Sequence, residues 1–208
     1  MRIVEMVCGP LENNTYLLIE DNKALIVDAP FGSFEAAQKQ LKQYNATLVA
    51  VLMTHGHWDH LGDLALMQSS GVKVYAHENS KRFIETPQVQ SNYSMPGLKL
   101  VSAKIDEYVK DGEDLEIINN VIKVLHIPGH SEGSVVYCVE SEKVAFVGDV
   151  IFRNSIGRTD LPGGNHQQLL DGIANKLYLL ADETVLYSGH GAKTTVKFEK
   201  STNPFVRA

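Results

Sequence analysis

The sequence predicts an α/β fold in which two sheets pack face to face with helices on their outer sides. Two observations carry this. Short apolar, β-branched segments alternate with helical stretches, and the order hairpin, acidic residue, helix, strand, histidine occurs twice along the chain. Two sheets so arranged would bring the C-terminal ends of their strands to one edge. At 208 residues the chain can bury one sizeable core and is short for two, so residues 1–208 read as one domain.

In the first half, Arg2 to Cys8, Thr15 to Glu20 and Lys23 to Asp28 are strands, with Asp21-Asn22 as a two-residue hairpin turn. A helix follows from Ser33 to Tyr44, with Phe34, Ala37 and Leu41 on one face, and then an apolar strand from Leu48 to Met53. The run Thr54-His55-Gly56-His57-Trp58-Asp59-His60 comes next, leading into a helix that begins near Leu61. The middle offers a strand from Val72 to Ala76, a polar loop from Thr86 to Gly97, and a meander of Glu107 to Val109, Leu115 to Ile118 and Val121 to His126. In the second half, Val135 to Glu140, the turn Ser141-Glu142 and Lys143 to Val147 form another hairpin, ending at Asp149 as the first ends at Asp28. A helix from His166 to Leu180 starts at Asn165 with Gln168 three residues later, a capping-box pattern. The strand Thr184 to Tyr187 then leads to Ser188-Gly189-His190-Gly191.

Composition excludes several classes. The hydrophobic fraction is 44% and the charged fraction 21%, as in ordinary soluble proteins. A net charge of −6 offers no general attraction to nucleic acid or anionic lipid. No apolar run could span a bilayer, and Glu5 interrupts the N-terminus before a signal-peptide core could form, so a cytoplasmic location is expected. The two cysteines, Cys8 and Cys138, are too few for a thiolate zinc site and are expected to be buried free thiols.

The eight histidines are the informative signal. In an extended segment residues two apart project to the same side, so His55 and His57 can grip one ion together. Asp59 and His60 lie where the chain turns and can face a neighbouring position. Two imidazoles plus a third leave an open vertex for water, as a catalytic metal requires. His130, Asp149 and His190 each stand at the C-terminal end of a strand beside a glycine, where a shared cleft would need them. A carboxylate can place its two oxygens on two ions, which suits Asp149. His77 and His166 read as ordinary, His126 as structural, and Trp58 as a packing residue.

The His-x-His-x-Asp-His run, followed by His130, Asp149 and His190 in this order, resembles the metallo-β-lactamase superfamily over nearly the whole chain. The resemblance implies a four-layer αβ/βα sandwich with metals at one edge of the two sheets. It places His55, His57 and His130 on one metal and Asp59, His60 and His190 on a second, with Asp149 bridging. Asp28 matches the family's early acidic position, which supports the histidine loop without being a ligand. The expected cofactors are two divalent ions, zinc first and iron or manganese as alternatives. Such a pair lowers the pKa of a shared water towards ~7 and polarises a carbonyl, and Asp59 would hold that water and accept its proton.

Within the superfamily the chain is similar to the glyoxalase II branch, which implies a small-molecule thioester substrate such as S-D-lactoylglutathione, and it resembles that branch's compact subgroup, for which the natural thioester is open and glutathione specificity does not carry over. In the stretch from Phe152 to Gly164, Arg158 matches a basic position near the substrate carboxylate, and Asp160 either shares that role or pairs with Arg158. Only 18 residues follow His190, so the C-terminal helical region with which long-form glyoxalase II enzymes grip glutathione has no counterpart. A mononuclear iron persulfide dioxygenase is the nearest alternative, though Leu161-Pro162-Gly163-Gly164 departs from that family. A non-hydrolytic metal-binding or redox module is the alternative of another class. A nuclease is disfavoured by charge and length, and a class B β-lactamase because that group is exported and lacks this form of the run. Sequence is silent on oligomeric state.

Overall fold

The computed structural model describes residues 1–207. The first half builds one six-stranded sheet in the order β1-β2-β3-β4-β5-β6, from β1 (Arg2–Cys8), β2 (Asn13–Glu20), β3 (Lys23–Val27), β4 (Thr47–Leu52), β5 (Lys73–His77) and β6 (Glu107–Val109). Its helices are α1 (Ser33–Tyr44), α2 (Leu64–Ser69) and α3 (Lys81–Glu85). The second sheet runs β14-β13-β10-β9-β8-β7, from β7 (Asp114–Ile117), β8 (Asn120–His126), β9 (Val135–Val139), β10 (Val144–Gly148), β13 (Val185–Ser188) and β14 (Thr194–Thr195). A small ribbon of β11 (Ile151–Phe152) and β12 (Ser155–Ile156) sits between β10 and α4 (His166–Asn175), and α5 (Val196–Thr202) follows β14.

Strand alternation explains the layers. In β2 the side chains of Leu17 and Ile19 join Ala37, Leu64, Met67 and Ile84 in a core between the first sheet and its helices. Tyr16 and Leu18 point the other way, into a core shared with Leu25, Leu52, Val124, Tyr137 and Phe146 from both sheets. Ala145 and Val147 pack on Leu169 and Ile173 of α4 in a third core. Helix, sheet, sheet and helix therefore stack with three apolar seams, the four-layer sandwich that was expected. Each fully buried Leu, Ile or Phe in these seams contributes about 1.5–3 kcal/mol relative to exposure.

The two halves echo each other in pairing as well as order. Antiparallel β2-β3 leads to parallel β3-β4, and antiparallel β9-β10 leads to parallel β10-β13. Both acidic residues, Asp28 and Asp149, follow the second strand of the hairpin. The sheets are joined at the edge that carries these ends: Tyr16 Oη donates to Ser188 O at 2.6 Å, Tyr137 Oη to Met53 O at 3.0 Å, and Val135 N to Thr54 O at 2.8 Å.

Three details differ from the sequence expectation. The anticipated meander is divided, because Glu107–Val109 pairs in parallel with β5 in the first sheet while β7 and β8 belong to the second. The helix after the histidine run begins at Leu64; Trp58–His60 forms a separate 3₁₀ turn. Helix α4 ends at Asn175 instead of running to Leu180. Lys176 leaves helical geometry (φ −128) to place its Nζ on Asp111 and the carbonyl of His126, which lets Leu177 and Tyr178 turn into the core.

Candidate metal centre

Local backbone explains how the histidine run is presented. His57 is extended (φ −69, ψ 148), and the turn that follows closes with His60 N donating to His57 O at 3.0 Å. Ala29 N then donates to His60 O, tying the turn to the segment that carries Asp28. Gly129 precedes His130 at φ 130, a conformation that L side chains rarely adopt, and its missing Cβ makes room for the first turn of α4. Gly189, beside His190, has no room for a Cβ, which would collide with the Asp149 carboxylate.

The structure gathers all seven side chains into three overlapping triads, His55/His57/His130, His55/His60/Asp149 and Asp59/His60/His190. In the first triad His130 Nε2 lies 2.8 Å from His57 Nδ1 and 3.2 Å from His55 Nε2. These spacings approach the edge of about 3.3 Å expected for a tetrahedron with metal–nitrogen bonds of about 2.0–2.1 Å. In the third, Asp59 Oδ2 lies 3.5 Å from His60 Nε2 and 3.3 Å from His190 Nε2. Asp149 stands between them, with Oδ1 3.5 Å from His60 Nε2 and Oδ2 3.7 Å from both His130 Nε2 and His190 Nε2.

The outward ring nitrogens show what orients these rings. His130 Nδ1 lies 2.8 Å from Arg158 O and His190 Nδ1 3.1 Å from Leu11 O. A carbonyl only accepts, so each Nδ1 carries the hydrogen and leaves a lone pair on Nε2, facing the cluster. Asp28 holds two more, His60 directly and His55 through Thr54. Its carboxylate accepts from Thr54 N (2.7 Å), Thr54 Oγ1 (2.7 Å) and His60 Nδ1 (2.8 Å), and the Thr54 hydroxyl accepts in turn from His55 Nδ1 at 3.0 Å. Such partners fix tautomer and ring angle in metal sites.

The residues fit a metal centre because of what they lack. Three nitrogens converge in the first triad, and one N–H on His57 can satisfy only one of the lone pairs facing it. His60 Nε2 and Asp149 Oδ1 are buried with no hydrogen-bond partner among the described residues. Leaving such atoms unpaired costs about 1–3 kcal/mol each, which a cation among them would recover.

Electrostatics divide the cluster. Burial, followed by the neighbouring rings, pushes His55 well below the usual imidazole range and His57 down to about 3. Burial also opposes charge on His60, yet Asp59, Asp28 and Asp149 outweigh it and hold that ring well above the usual value. His190 is raised in the same way, against burial, by Asp59 and Asp149. Burial opposes ionisation of Asp59 and Asp149 too, and the rings around them, His60 foremost, still keep both below the usual carboxylate range.

The triads open into a cleft of about 280 Å³ lined by His57, Asp59, His130, Asp149 and His190, with Leu11, Trp58, Tyr93, Arg158 and Leu161 around its mouth. Hollows of about 320 and 360 Å³ beside Cys138 are larger but contain no such cluster of donors. Arg158 and Asp160 stand at the rim as an exposed bidentate pair, both bonds 2.7 Å. His126 and His77 lie apart, stacked on one another at 3.9 Å between ring centroids. Sequence reasoning missed Asn13, fully buried, whose Nδ2 donates to Asp59 Oδ2 at 2.7 Å. It also assigned no role to Thr54, although that residue opens the histidine run.

Known proteins share this fold and part of this sequence. The sequence profile of the Metallo-beta-lactamase superfamily matches residues 8–190. The Bacillus subtilis protein named probable metallo-hydrolase YqgX is 36% identical over 207 residues, 99% of this chain and 98% of its own length. The Haemophilus influenzae hydroxyacylglutathione hydrolase GloC is 32% identical over 206 residues, 95% and 94% of the two chains. Among solved structures, the BLEG-1 B3 metallo-beta-lactamase superposes with a TM-score of 0.92 at 37% identity, covering 100% of both chains. TTHA1623, solved in a di-iron-bound form, gives 0.82 at 30% identity, covering 98% of this chain and 100% of its own.

Proposed function

Since the chain belongs to the metallo-beta-lactamase superfamily, and with it to the metal-dependent hydrolases, we propose that it is a dinuclear hydrolase of small thioesters such as S-D-lactoylglutathione. The observation that carries this reading is the placement of Asp149, one carboxylate within 3.7 Å of His60, His130 and His190, as a bridge between two triads requires. His55, His57 and His130 would hold one ion and Asp59, His60 and His190 the second. The N/O donor set accepts zinc, iron or manganese. When bound, the ions supply an acidified water and polarise the substrate carbonyl.

The chain's own residues do the rest. Asp59 reaches into the cleft, receives the proton of the attacking water, and passes it to the departing thiolate, so acid and thiol leave balanced. Thr54 and Asp28 keep the lone pairs of His55 and His60 turned inward. Leu11, Trp58 and Leu161 exclude bulk water from the mouth. Arg158, braced by Asp160, offers its guanidinium to a carboxylate on the thiol portion of the substrate, since the carboxyl of the 2-hydroxy acid is itself the thioester carbonyl. The thioester class is supported by the similarity to GloC.

A second reading has its own support. The full-length likeness to a B3 metallo-beta-lactamase weighs against setting β-lactams aside on sequence grounds, and the same centre would serve a strained amide. Protein of measured metal content, assayed on S-D-lactoylglutathione, acyl-CoA thioesters and a chromogenic cephalosporin, separates the readings. Thioester turnover well above β-lactam turnover is expected. The reverse order would replace the proposal, and persulfide-dependent oxygen uptake with a single iron would make the chain a dioxygenase.

A further inference from the structure

We propose that Asn13 is a positioning residue that makes the Asp59/His60/His190 triad the weaker, second-filled of the two cation sites. The inference rests on the metal-centre reading above.

Asn13 opens β2 and is fully buried. Its backbone is fixed at this edge by an antiparallel bridge to His190, and the next residue donates from Asn14 N to Gly189 O at 2.7 Å. The side-chain Nδ2 lies 2.7 Å from Asp59 Oδ2 and 3.3 Å from His190 Nε2. Its two hydrogens therefore meet two members of one triad. Among the described residues Asn13 Oδ1 has no hydrogen-bond partner, so the hydrogen bonds that orient the amide all come from the triad.

The consequence follows from counting lone pairs. Asp59 Oδ2 has two, and can keep the amide on one while giving the other to a cation. His190 has only one available, because its Nδ1 hydrogen is committed to Leu11 O. That lone pair goes to the amide hydrogen or to an ion, never to both. Among the described residues the inward hydrogen bond of the first triad runs between two of its own histidines, His57 Nδ1 and His130 Nε2 at 2.8 Å, and His57 can clear it by moving its hydrogen to Nε2, whereas the Asn13 amide cannot shed its hydrogens.

Calorimetric titration of the metal-free full chain with zinc, checked against a chromophoric chelator, tests this. The wild type should bind two equivalents in unequal steps. Asn13→Leu, which keeps the branched outline of the side chain and removes both hydrogens, should tighten the second step by about two- to tenfold, the worth of one hydrogen bond to a neutral group, with the first unchanged. Asn13→Ala should move the second step in the same direction, and serves if the leucine variant fails to fold. Equal steps in the wild type, or a second step left unchanged or weakened by the substitution, would overturn the inference. A wild type that binds no zinc would instead overturn the metal-centre reading beneath it.

Discussion

Replacing Asp28 by Asn probes the support of the centre without touching a proposed ligand. Asp28 sits at φ 60, a left-handed conformation that Asn adopts at least as readily, so the backbone has no reason to move. The carboxylate accepts three bonds, Thr54 N on Oδ1 and both Thr54 Oγ1 and His60 Nδ1 on Oδ2. A carboxamide keeps one accepting oxygen and gains two hydrogens. With NH₂ in the Oδ1 place, it opposes the Thr54 N–H. With NH₂ in the Oδ2 place, the Thr54 hydroxyl can turn to accept, but His60 must move its hydrogen to Nε2, where the cation should bind. Either arrangement leaves a donor unmatched at a buried site, a cost of about 1–3 kcal/mol. For a chain of this size that lowers the melting temperature by about 2–4 °C per kcal/mol. Zinc affinity should fall about 10–100-fold, as for other residues that orient a ligating histidine. Thermal melts of the metal-free protein and zinc titration of wild type and variant measure both. Wild-type affinity together with an unchanged melt would refute the role assigned to Asp28.

Three further outcomes are expected. Gly189→Ala puts a Cβ against Asp149 Oδ1 and 2.8 Å from His60 Cε1, so bound metal should drop below two equivalents while circular dichroism stays native; full loading would contradict the packing argument. Arg158→Met removes an exposed ion pair that solvent screens, so stability should hold while KM for a carboxylate-bearing thioester rises more than kcat falls; an unchanged KM would remove Arg158 from the substrate. Cys138 is pushed up to about 12, first by burial and then by Glu140. Its folded value lies above the ordinary thiol value of 9.0, so its contribution to stability is complete below about pH 9 and is lost as pH rises towards 12. In the folded protein at pH 9, alkylation should therefore modify Cys8 at most, and labelling of both thiols would contradict the burial.

How far the site could be read from sequence depended on whether its parts were local. His55, His57, Asp59 and His60 lie within six positions, and an extended segment followed by a turn is enough to aim them. His130, Asp149 and His190 were legible through the repeated plan, because matching strands of two facing sheets end at one edge. The glycines beside them mark places where a Cβ would meet the α4 backbone or the Asp149 carboxylate. What stayed hidden was contact across the sheets. Asn13 is one asparagine in a hairpin, and only the β2 to His190 bridge brings it to Asp59. The carbonyls of Leu11 and Arg158 that orient two histidines have no side-chain signature at all. The end of α4 was misplaced for a similar reason, since Leu177 and Tyr178 continue a helical pattern and the anchor that turns the chain is the distant Asp111. Cys8 is half-buried where both thiols were expected inside, because β1 is the edge strand of its sheet.

The central claim is that two ions act together in thioester hydrolysis. Its most direct test is the initial rate of S-D-lactoylglutathione hydrolysis followed as metal-free protein is titrated with zinc, with bound metal measured at each point. Little turnover is expected at one equivalent per chain, with a rise to a plateau at two. Full turnover at one equivalent, or none at two, would contradict it.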